Sequence, residues 1–80
     1  MPYIKRRDRE RLSEEDSQPF NSGELNYLIT RMIHDYIEAR GVSYGALNEV
    51  IGVLECAKQE FYRRIVSPYE DIKMRENGDV

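Results

Sequence analysis

Apolar residues recur along residues 25–37 with the period of a helix. Leu25, Leu28, Ile29, Met32, Ile33, Tyr36 and Ile37 follow the i, i+3, i+4, i+7 pattern without a miss, and Glu24, Arg31, Asp35 and Glu38 fall on the opposite side. The start of this helix is marked by Asn21 as N-cap, with Glu24 as the reciprocating N3 residue. Phe20 and Leu25 sit at the hydrophobic-staple positions. Gly41 ends it, because glycine adopts positive φ at little cost.

The pattern restarts at once. Ser43 is a second N-cap, with Val42 and Leu47 as staple, and Leu47, Val50, Ile51, Leu54, Ala57, Phe61 and Ile65 form one apolar stripe. Pro68 disfavours helical backbone at the residue before it, so this helix is expected to stop near Ser67. Ser67-Pro68-Tyr69-Glu70 then reads as a new start, and Asn77-Gly78 as its end. The expectation is an all-α fold, an antiparallel helical hairpin over about 22–40 and 43–66 with short flanking helical segments. The chain is divided into an arm (1–20), the hairpin (21–67) and a short C-terminal helix and tail (68–80), together one small domain. Pairing outward from the loop sets Ile37 near Leu47, Ile33 near Val50, Ile29 near Leu54 and Leu25 near Lys58.

Phe61, Tyr62 and Ile65 then overhang by about two turns, roughly 10 Å. Their cover must come from Tyr3, Ile4, Leu12 and Phe20, from the C-terminal helix, or from another subunit. Within the arm, residues 5–12 are expected to form one or two helical turns, Ser13-Glu14-Glu15-Asp16 to start another, and Gln18-Pro19 to break it.

Composition sharpens the need for cover. An 80-residue chain buries only about 60% of the surface its unfolded form exposes. Such a core rarely supplies more than roughly 3–5 kcal/mol. The single cysteine makes no internal disulfide, and no Cys/His cluster has zinc spacing. Self-association is the remaining staple, most simply a twofold homo-oligomer. Gly45 and Gly52, seven residues apart on one helical face, read as a place of close helix approach; with Phe61 and Ile65 they are the expected oligomer interface.

The lone cysteine, the absence of an apolar stretch after the charged N-terminus, and the lack of any run near 18 apolar residues point to a cytoplasmic protein, bacterial or in a phage-infected host. Net charge is −3, which gives no general case for nucleic acid. Residues 5–11 carry five bases against two acids, and this mixed run reads as a solvated helix face.

Few residues are arranged for chemistry. Cys56 has no base beside it, since His34, the only histidine, belongs to the other helix. It reads as a packing residue. His34, Glu38 and Glu49 are too few and too irregular for a metal site. Glu55 and Glu60 bring to mind the acidic helices of all-α nucleotide pyrophosphatases, but five-residue spacing turns the two carboxylates about 140° apart. No catalytic residue, metal or cofactor is therefore expected. Lys58, Tyr62, Arg63, Arg64 and Tyr69 are different. Arginines near a helix C-terminus complement its dipole, and beside aromatic faces they also suit phosphate and base recognition.

The runs MPYIK, GELNYLITRMIHDYI and SYGALNEVIGVLECAKQEFYRRIVSPYEDIKMRENGDV resemble small uncharacterised helical proteins of bacteria and tailed phages, over nearly all of the chain apart from residues 6–20. The resemblance implies a phage-associated context, in which proteins of this size often act as inhibitors, adaptors or oligomeric sponges for nucleotide signals. The expected function is accordingly a non-enzymatic, self-associating binding protein. Its partners are further copies of itself, with a host protein or an anionic small molecule as candidate ligands and no membrane. The alternatives are an oligomeric sponge for a phosphate-bearing nucleotide-type molecule and, last, a metal-dependent nucleotide pyrophosphatase-like enzyme.

Overall fold

The computed structural model describes residues 2–80 and is all-helical, with no strand among the described residues. The chain divides into two compact units, one ending at Ser43 and the other running from Tyr44 to Val80.

The first unit holds α1 (Arg6–Leu12) and α2 (Ser22–Arg40). The end of α1 is closed by side chains. Ser13 Oγ donates to the carbonyl of Glu10 at 2.6 Å and Ser17 Oγ to that of Arg11 at 2.7 Å, alongside the backbone N–H groups of Ser13 and Glu14 on the same two carbonyls. The helix expected to begin at Ser13 is therefore not made. Residues 13–16 form a turn, with the Ser13 hydroxyl engaged as a donor and Asp16 in the left-handed region at φ 66°.

At α2 the local signals operate as expected, with one change of partner. Asn21 is extended, and its Oδ1 accepts from the Glu24 N–H at 2.9 Å. Glu24 reaches back past the N-cap, and its Oε1 accepts from the N–H of Phe20 at 3.0 Å. At the other end Gly41, at φ +89°, donates its N–H to Ile37 O at 2.7 Å. A side chain would strain that backbone, so the helix stops at Arg40. Exposed ladder pairs such as Arg31–Asp35 at 3.4 Å run along its polar side.

The second unit departs from the expected break at Pro68. α3 (Tyr44–Phe61) passes into a π-helical segment, Tyr62–Val66, and directly into α4 (Ser67–Asn77). Ser67 is fully helical, at φ −61° and ψ −47°, and does not act as an N-cap; no side chain caps α4. In a regular helix the Pro68 ring would crowd the carbonyl of Arg64, four residues back. The π segment widens that turn, and the Ser67 N–H bonds to Tyr62 O, five residues back. The chain keeps its helical course through a proline by taking in one extra residue. Gly78, again at φ +89°, ends α4 with its N–H on Met74 O at 2.9 Å.

Burial is sparse. Among the described residues, the buried apolar side chains are Leu12 (7% exposed) and Ala46 (8%), joined by one charged residue, Glu24 (4%). Phe61 and Ile65 are 61% and 58% exposed, so the second unit by itself leaves them without cover. No helix among the described residues is long and apolar enough to cross a membrane.

Candidate functional site

Lys58, Tyr62, Arg63, Arg64 and Tyr69 all lie on the helical run of the second unit, between the last turn of α3 and the first turns of α4. Each is engaged by a neighbour. Lys58 Nζ stands 3.7 Å from Glu55 Oε2. Glu60 takes both arginines, Arg63 Nη2 at 3.2 Å and Arg64 Nε at 2.8 Å. Lys73 Nζ lies 5.6 Å from the centre of the Tyr69 ring. The Tyr62 hydroxyl donates to Glu70 Oε1, which raises the Tyr62 pKa because the carboxylate favours the protonated phenol. The charge of these bases is thus largely matched by acids one turn away, an arrangement suited to a solvated helix face. Arg63, with Cys56, Gln59 and Glu60, lines a shallow depression open to solvent.

The remaining sequence candidates are dispersed. Glu55 and Glu60 serve separate partners, Gln59 and Lys58 for the first and the two arginines for the second. Among the described residues no three of His, Cys, Asp and Glu are grouped to hold a metal ion. Cys56 is exposed rather than packed, which corrects the expectation for it. A Cβ placed on Gly45 or Gly52 would meet no heavy atom within 4 Å, so the second unit makes no close approach to itself at either.

Sequence reasoning missed a cluster in the first unit. Glu24 was placed with the polar side of α2, yet among the described residues it is the most buried charged one. Its Oε1 accepts from the Phe20 N–H and from Arg11 Nη2. Arg11 also donates to Gln18 O at 3.0 Å, and its guanidinium lies 3.9 Å over the Phe20 ring. The ring that was expected to staple against Leu25 is a platform for a cation instead. The Phe20 N–H bond, then the Arg11 guanidinium, hold the Glu24 carboxyl below the usual range, against the opposing effect of burial. The signal available in the sequence was the capping-box glutamate itself, a carboxylate whose position is fixed at a helix start just after a basic run. The clasp joins α1 to the start of α2, and among the described residues no buried side-chain nitrogen or oxygen lacks a hydrogen-bond partner.

These features define a small all-helical protein with paired surface charges and uncovered apolar stripes. The chain belongs to the family described as "Domain of unknown function (DUF6899)", which matches residues 1–80. No curated protein and no solved structure matches it.

Proposed function

We propose that the chain is a non-enzymatic, self-associating interaction protein, phage-associated, whose helices acquire their core from further copies. The observation that carries this reading is the uncovered stripe at Phe61 and Ile65, in a chain whose buried apolar residues, among those described, are Leu12 and Ala46. Soluble monomers rarely expose contiguous apolar patches beyond a few hundred Å². Covering one half-exposed large apolar side chain yields on the order of 1 kcal/mol, and a twofold interface counts each such side chain twice. In this reading α2 and α3 fold back as an antiparallel hairpin, and two hairpins supply the four amphipathic helices that enclose a bundle core. Size-exclusion chromatography with light scattering tests it at micromolar concentration. A dimer or higher species is expected, and a monodisperse monomer overturns the proposal.

A second reading, sequestration of a phosphate-bearing nucleotide-type molecule, is supported by Arg63 lining an open depression with Cys56, Gln59 and Glu60. Glu60 must release its two arginines for it to operate. Thermal-shift measurements over cyclic nucleotides and ADP-ribose derivatives test it, since a ligand of the folded state raises Tm. No shift, or a shift that persists after Arg63→Ala with Arg64→Ala, removes it.

A further inference from the structure

The apolar positions of α3 recur at steps of three and four: Leu47, Val50, Leu54, Ala57 and Phe61. These are the a and d positions of a heptad seam. Carried on at the same steps, the next positions are Arg64, Pro68 and Asp71, and the seam would end there. The π segment Tyr62–Val66 takes in one extra residue. Every position past it moves by one, and the same face then carries Ile65, Tyr69 and Ile72. An independent contact agrees with this shift. Tyr62 and Glu70 are eight residues apart, which in a regular helix sets them about 80° from each other, yet the Tyr62 hydroxyl reaches the Glu70 carboxylate. With one residue absorbed between them they stand in line, two turns apart.

We infer that residues 44–77 form one continuous helix whose eight-residue seam pairs antiparallel with the same seam of a second copy across a twofold axis, the π segment supplying the extra residue that keeps both halves of the seam in phase. This rests on the self-association proposed above and names the surface that performs it.

The area is sufficient. The six large seam residues are between 37% and 61% exposed, and Ile51 and Val53 on the flanks are each 66% exposed. At about 100 Å² apiece, eight such side chains offer roughly 800 Å² per copy and roughly 1,600 Å² for the pair, the usual size of a specific interface. The seam is also self-complementary. In an antiparallel pair a faces d, so Leu47 meets Ile72, Val50 meets Tyr69, Leu54 meets Ile65, and the large Phe61 meets the small Ala57. A parallel pair would set Phe61 on Phe61 and Tyr69 on Tyr69, and leave a gap between two copies of Ala57. The outer positions are polar: Asn48, Glu49, Glu55, Arg63, Glu70 and Asp71. Gly45 and Gly52 fall on that outer side, so this interface uses Phe61 and Ile65 and not the glycines.

Two measurements on the full-length protein test it. Leu54→Asp and Ile65→Asp, separately, are expected to raise the dimer dissociation constant by at least about 100-fold, because each change enters a twofold interface twice. Ile29→Asp, on the apolar stripe of α2, is measured beside them as the competing surface, with helical content followed by circular dichroism throughout. If the α2 change dissociates the assembly and the seam changes do not, the inference falls while self-association stands. The second measurement leaves the seam intact. With Cys56→Ser and Asn48→Cys, spin labels at position 48 are separated along the axis by about 35 Å in an antiparallel pair, and lie within about 25 Å in a parallel one. A dimer with the short distance overturns the antiparallel seam. A monomer at all concentrations overturns both this inference and the reading beneath it, and leaves another part of the same chain as the cover.

Discussion

Replacing Asn21 probes the start of α2, where sequence and structure meet most directly. Its Oδ1 accepts the Glu24 N–H at 2.9 Å, with Asn21 extended at φ −153° and ψ 174°. Alanine keeps the backbone and removes the acceptor, leaving one of the first N–H groups of a 19-residue helix without its cap. The loss is about 1 kcal/mol, within a range of roughly 0.5–2 for such caps. In a chain of this length that lowers Tm by about 4–8 °C. Glycine frees the N–H to water and should lose only a few tenths of a kcal/mol. Aspartate keeps an acceptor and adds a negative charge at the helix N-terminus, so it should match asparagine or exceed it slightly. Thermal unfolding at one fixed protein concentration measures the series, because Tm of a self-associating protein depends on concentration. The expected order is Asp at or above Asn, then Gly, then Ala. An alanine variant as stable as the native chain, or a glycine variant less stable than alanine, refutes the capping account.

Glu24→Gln removes the charge that holds Arg11 while keeping an oxygen for the Phe20 N–H; limited proteolysis should then cut residues 6–20 faster, with α2 intact. The Glu24 pKa is lowered in the folded chain, so its stabilisation is present above the unfolded value near 4.5 and is lost as pH falls through the folded value. NMR shifts of Leu12 and Phe20 followed from pH 6 downwards should change only below the ordinary carboxylate range. The Tyr62 phenol has a raised pKa, so its contribution is present below 10.0 and is lost as pH rises through the folded value. Ultraviolet titration should show a late-ionising component that disappears in Tyr62→Phe. Deleting Arg64 together with Pro68→Ala yields an unbroken α-helix with the same seam, so light scattering should find dimerisation retained. Deletion of two further residues there should abolish it by turning the C-terminal half of the seam outward.

Local signals were legible wherever the deciding interaction spans one turn. Asn21, Glu24 and Gly41 bounded α2 because capping and positive φ are contests between a residue and its nearest backbone. The Lys58-to-Tyr69 group was legible as a helix face but not as a charge balance. Its spacing alone does not say that Glu60 would take both arginines. Pro68 misled for a related reason. The rule that proline ends a helix assumes regular turns, and the π segment changes the turn itself.

The sequence by itself determined the helical class, the ends of α2 and the apolar stripes, because these follow from periodicity and from contacts within four residues. Only the tertiary structure decided that Glu24 is buried. That burial depends on α1 returning over the start of α2, so that Arg11 and the Phe20 N–H, 13 and four residues away, converge on one carboxylate. The three-dimensional course of the chain also decided that residues 44–77 stay helical through Pro68. Adding one residue to a turn is a backbone adjustment that leaves no residue-type signature, only a phase shift in the apolar residues beyond it.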